Sequence, residues 1–157
     1  MLSDRYVRLA REAGALGELP RALAARAYVL LFTGELTAAA SLVAEMQAAV
    51  EATGSNLAPY AALSLAAFGG HEDEAAALTE ATLQNALPRG DGFAISAAGW
   101  TNAVLNNGLG HYGKALDAAR RTSENHAEVA FANWAVSELI EAAVRSGQTE
   151  TDRKSVV

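Results

Sequence analysis

The chain has no cysteine, only three prolines and two lysines, and aromatic residues fill just 6% of its 157 positions. Without thiols there is no disulfide framework, thiolate metal site or cysteine nucleophile, and a cytoplasmic address is expected. A formal charge of −6 leaves no basic field for phosphate, so no nucleic-acid partner is expected. No run of about 18 residues is both uncharged and apolar enough to span a bilayer, and Met1-Leu2-Ser3-Asp4-Arg5 lacks a signal-peptide plan. A soluble chain with no membrane partner follows as an expectation. Strand-favouring Val, Ile and aromatics are sparse, whereas about a quarter of the residues are Ala, the best helix former. Apolar residues make up 51% of the chain, enough for the core of one all-helical domain over residues 1–157.

A repeat organises that composition. Gly34-Glu35-Leu36-Thr37-Ala38-Ala39, Gly70-His71-Glu72-Asp73-Glu74-Ala75 and Gly110-His111-Tyr112-Gly113-Lys114-Ala115 all read Gly-x-x-x-x-Ala. Their glycines lie 36 and 40 residues apart, and Gly147 follows Gly110 by 37. Each unit is predicted to be a first helix, a glycine turn and a second helix. The first helices fall near 21–33, 58–68, 93–107 and 127–146, the second near 36–53, 72–87 and 114–124, with one more helix near 4–15 at the start. Gly17, Pro20, Gly54, Pro59, Pro88 and Gly92 fall between them as breakers. The expected architecture is a right-handed stack of antiparallel helical hairpins, seven or eight helices in all, with 148–157 a disordered tail. In the last long helix Val129, Ala132, Val136, Ile140 and Val144 form one apolar stripe at helical spacing.

The turn Gly110-His111-Tyr112-Gly113-Lys114-Ala115-Leu116, followed by Ala119, resembles the middle of a tetratricopeptide repeat. Four longer stretches resemble the helical-repeat region of large LuxR-family, MalT-like transcriptional regulators: residues 11–20 (REAGALGELP), 57–60 (LAPY), 100–110 (WTNAVLNNGLG) and 138–147 (ELIEAAVRSG). The resemblance spans nearly all of 5–147. It implies a sensor and interaction region, which in such regulators stands between a nucleotide-binding domain and a helix-turn-helix. Neither neighbour is represented: there is no Gly-x-x-x-x-Gly-Lys-Ser/Thr loop and no basic recognition helix, so the family's ATPase and DNA-binding roles transfer to no residue. After Gly147 the family pattern calls for a further second helix, which this chain does not follow. The stripe of the last helix is then expected to lie uncovered, and a homodimer through that helix is the expected way to bury it.

Aligned on the turn glycines, Tyr60 and Trp100 share one position, while Tyr28, Ser64, Val104 and Glu141 share another. In tetratricopeptide-like stacks such positions line a concave face, so Tyr28, Tyr60, Ser64, Trp100, Asn102, Asn107 and Trp134 are the expected wall of a ligand groove. The competing reading is that the aromatics fill gaps between Ala-rich helices. His71 and His111 occupy equivalent turns roughly 10 Å or more apart, too far for one zinc, and are expected to be solvated. His126 belongs to a surface turn. Glu72-Asp73-Glu74 opens a helix and offsets its macrodipole, and Asp91 in Arg89-Gly90-Asp91-Gly92 caps the next helix.

The functional expectation is therefore a domain that binds a protein, a peptide or a small effector and needs no cofactor or metal. The alternative is a small promiscuous hydrolase of esters or phosphoesters, for which His71, His111, His126, Asp91 and Glu141 are the acid/base candidates. No nucleophile elbow, His-Glu-x-x-His or dinucleotide fingerprint supports it.

Overall fold

A computed structural model describes residues 1–125 and 128–147, and it is all-helical. Eight α-helices follow one another: α1 (Leu2–Glu12), α2 (Leu19–Phe32), α3 (Leu36–Thr53), α4 (Tyr60–Phe68), α5 (Glu72–Ala86), α6 (Gly92–Gly108), α7 (Tyr112–Ser123) and α8 (Val129–Arg145). A single 3-10 turn, Leu87–Arg89, prolongs α5. The expected tail 148–157 and His126 lie outside the described residues. Among the described residues no helix is long and apolar enough to cross a membrane.

The turns are set by glycine. Gly34, Gly70 and Gly110 have φ of 77°, 71° and 76°, a left-handed conformation that costs a Cβ-bearing residue about 1–2 kcal/mol. Each turn closes the preceding helix with the same two bonds. In the first, Gly34 N donates to Leu31 O at 3.1 Å and Glu35 N to Leu30 O at 2.9 Å, and the others repeat this pattern. Asp91 caps α6 by accepting from Ala94 N at 3.1 Å, and Glu72, Asp73 and Glu74 occupy the first turn of α5. Several boundaries depart from expectation by two or three residues, and two have a plain cause. α1 stops at Glu12 because Gly14 turns left-handed, and α2 starts at Leu19 because a first-turn proline, Pro20, needs no N–H partner.

The hairpins α2–α3, α4–α5 and α6–α7 stack in order. The even helices pack on one another in sequence from α2 to α8, and α1, α3, α5 and α7 each pack on the even helix that follows. α1 is fastened by Asp4 to Arg26 of α2 at 2.8 Å and by Arg11 to both carboxylate oxygens of Glu45 in α3 at 2.6 Å. Alanine permits close approach throughout: Ala22, Ala39, Ala61, Ala75, Ala97, Ala103, Ala115, Ala119, Ala135 and Ala142 are all buried. α6 and α7 also approach closely where a Cβ added at Gly99 would collide with Thr122 Oγ1, itself bonded to Ala118 O at 2.9 Å.

Gly99→Ala is expected to destabilise by about 1–2 kcal/mol, since the overlap exceeds the gain in helix propensity. In a Thr122→Ala background the same change should stabilise by about 0.5–1 kcal/mol, because only the propensity gain remains. Urea unfolding of the four-member cycle measures both.

Candidate functional site

The residues expected to wall a groove come together, but they fill it. Tyr28, Tyr60, Trp100 and Trp134 meet Phe32, Phe68, Phe93 and Phe131 in one aromatic centre between α2, α4, α6 and α8. Tyr28 and Trp100 share its centre: Tyr28 has the ring centroids of Phe32, Tyr60, Trp100, Phe131 and Trp134 within 6.5 Å, and Trp100 those of Tyr28, Phe32, Phe68, Phe131 and Trp134 within 6.1 Å. Trp100 is 1% exposed, Tyr28 and Tyr60 are buried and Trp134 is half-buried, so solvent reaches this centre chiefly at Phe32 and Phe93. Ser64 belongs there as a hydrogen-bonding post, 3.0 Å from the Tyr28 hydroxyl and 3.3 Å from Thr101 Oγ1, and it donates to Tyr60 O at 2.9 Å. Burial pushes the Tyr60 phenol up to about 12 and raises that of Tyr28 further. Phe32, Phe93 and Phe131 were not singled out from sequence, because they share none of the glycine-aligned positions used to choose the others.

Asn102 and Asn107 leave that group in different directions. Asn107, at the end of α6, donates through Nδ2 to Glu138 O at 3.0 Å and to Glu138 Oε2 at 2.9 Å. Glu138 is half-buried, and desolvation raises its carboxyl above the ordinary range, opposed by the Asn107 bond and aided by Glu141. Asn102 is exposed on the opposite face of α6, where it accepts from the Asn106 amide.

That outer face of α6 lines a cavity of about 640 Å³. α5 and α7 stand apart over it, so the cavity is an open trough rather than a sealed chamber. Leu63, Leu83 and Leu105 make its apolar base, and Thr79, Gln84, Asn102 and Asn106 supply hydroxyl and amide groups. A second cavity of about 320 Å³ continues it past Thr79, Leu83 and Asn102 toward Ser96 and Asn125, which are joined by a 2.8 Å bond. Glu72 and Glu80 stand on the α5 wall, Lys114 and Arg121 on the α7 wall, so the two walls carry opposite charge. The sequence reading missed this trough, since spacing along one chain does not show that two second helices fail to meet.

The acid/base candidates occupy separate places. His71 precedes α5 and lies 3.3 Å from Glu74, and His111 holds the equivalent position before α7. Asp91 caps α6 and pairs with Arg89 at 3.3 Å, and Glu141 pairs with Arg145 at 2.9 Å on α8. Among the described residues no group of three His, Asp or Glu is placed to hold a metal ion. No protein-family model matches the chain, and neither a curated protein nor a solved structure matches it.

Two outcomes test this geometry. Trp100→Ala is expected to cost about 3–5 kcal/mol and Tyr28→Phe about 1 kcal/mol, read from denaturant midpoints. Because the folded-state pKa of Glu138 is raised, the folded state binds its proton more readily than the unfolded chain. Stability then falls as pH rises from the ordinary carboxylate pKa through the folded one. Glu138→Gln keeps an acceptor for Asn107 and should remove that decline, so the difference in Tm between variant and wild type should grow across this window.

Proposed function

We propose that the chain is a binding module that receives an amphipathic protein segment in the trough between α5 and α7. The observation that carries this reading is the pair of oppositely charged walls above a floor where Leu63 of α4, Leu83 of α5 and Leu105 of α6 meet the amides of Asn102 and Asn106. A helix or extended strand with an apolar seam can rest on Leu63, Leu83 and Leu105, its flanking charges facing Glu72 and Glu80 on one side and Lys114 and Arg121 on the other. Amide and hydroxyl groups along the floor suit a peptide backbone. The resemblance of residues 11–20, 57–60, 100–110 and 138–147 to the sensor region of LuxR-family regulators supports the same class of role, in which a helical domain answers to a bound partner or effector.

Selection of peptides on the immobilised protein from a displayed library tests the proposal. Ala76 is exposed on the trough wall, so Ala76→Arg obstructs it without disturbing the core. Selected peptides should bind this variant and Lys114→Glu at least about tenfold more weakly, equivalent to 1.4 kcal/mol or more. Equal binding to wild type and both variants would place the site elsewhere and refute the reading.

A further inference from the structure

Each even helix ends in a turn glycine, so positions can be compared by their distance before it. Seven residues before the glycine stand Ala27, Leu63 and Ala103 in α2, α4 and α6, which are 1%, 1% and 0% exposed. Three residues before it stand Leu31, Ala67 and Asn107, at 2%, 5% and 7%. The α8 counterparts are Ile140 and Val144, each 58% exposed. They are at least as large as most of the buried residues they match, and Val136 and Val129 extend the same exposed stripe. What covers this register in the other helices is visible. Leu63 packs among Ala75 of α5 and Ala98 and Leu105 of α6, and Ala103 packs against Ala118 and Ala119 of α7 with Leu139 of α8. The surface on α8 is therefore shaped to receive an odd helix together with the even helix on which it packs.

Such a pair stands at the opposite end of the same molecule. α1 packs on α2, and the flank of α1 turned away from α3 exposes Leu2, Tyr6 and Leu9. Together with Ala25 of α2 these residues line an apolar cleft of about 490 Å³, with Arg5 at its edge. Glu141 lies beside Ile140 on α8. α1 carries three arginines against two carboxylates, and α8 two carboxylates against one arginine. Joining α8 to α1 thus brings unlike charges together, whereas joining α8 to α8 brings acidic helices together.

We infer that the α8 stripe docks into the α1–α2 cleft of a second copy of this chain, a head-to-tail contact that continues the stack from one molecule to the next. Ile140 and Val144 enter the cleft as Leu63 enters the space between α5 and α6. The contact joins different surfaces, so it does not close on itself at two copies. This face is distinct from the α5–α7 trough.

Sedimentation velocity on the full chain, with two surface variants, tests the inference. Ile140→Arg blocks the α8 end and Leu9→Arg the α1 end; both positions are exposed, and unchanged circular dichroism confirms folding. Between about 10 µM and about 1 mM, a range suited to a modest interface, wild type should grow past twice its 16.3 kDa mass. Each variant alone should remain monomeric. Their equimolar mixture should give a species of two chains and no larger, because only one compatible pair of ends survives. A Leu9→Arg variant that still dimerises would show α8 pairing with α8 and overturn the inference, as would wild type that stays monomeric throughout the range.

Discussion

The meeting of rings around Tyr28 is the constraint on which the arrangement of the helices depends. Alanine lets helices approach, but an alanine contact has little shape to fix an angle or a rotation. Tyr28, Trp100, Phe131 and Trp134 supply that shape from three different helices, with centroid separations of 5.1–6.3 Å. The hydroxyl chain from Tyr28 through Ser64 to Thr101 adds direction to the same contact, since each bond fixes one helix against the next. Trp100 Nε1 is buried there without a hydrogen-bond partner among the described residues, so this residue contributes through ring packing rather than through its polar atom.

With the inner surface closed by its own side chains, the open space lies on the outer one. α6 illustrates the division of labour. Trp100 and Ala97 face the aromatic centre, while Asn102 and Asn106 face the trough. Gly99 sits between these faces and draws α7 close without closing the space toward α5. One helix therefore serves as core on one side and lines an open trough on the other. This follows from a repeat whose first helices carry the large residues and whose second helices carry mostly small and polar ones.

Much of this was legible in the sequence, for reasons that differ by residue. The turns at Gly34, Gly70 and Gly110 were readable because a left-handed helix end nearly demands glycine, and the cap at Asp91 because a short carboxylate before a helix has one main use. The α8 stripe was readable from helical spacing alone. Alignment on the glycines also brought Tyr28, Tyr60, Ser64 and Trp100 to one region, with Trp134 expected nearby, but it could not tell a lined groove from a filled one. That outcome depends on Phe32, Phe68, Phe93 and Phe131 converging from four helices. Asn102 was expected near Trp100, but residues two apart on a helix point about 200° apart, and it lies on the opposite face of α6. The trough itself depends on how far α5 stands from α7, a distance no local pattern encodes.

The link between Tyr28 and Trp134 joins the second helix to the eighth across more than a hundred residues. In a stack whose hairpins touch only their neighbours, stability is a sum of local terms, and such a stack can fray from either end. Here the far helices share a side-chain cluster, so loss of α8 also strips the packing from α2. The domain thereby trades the modular folding of a simple array for cooperativity, and its slowest folding contact is the one that must close the longest loop.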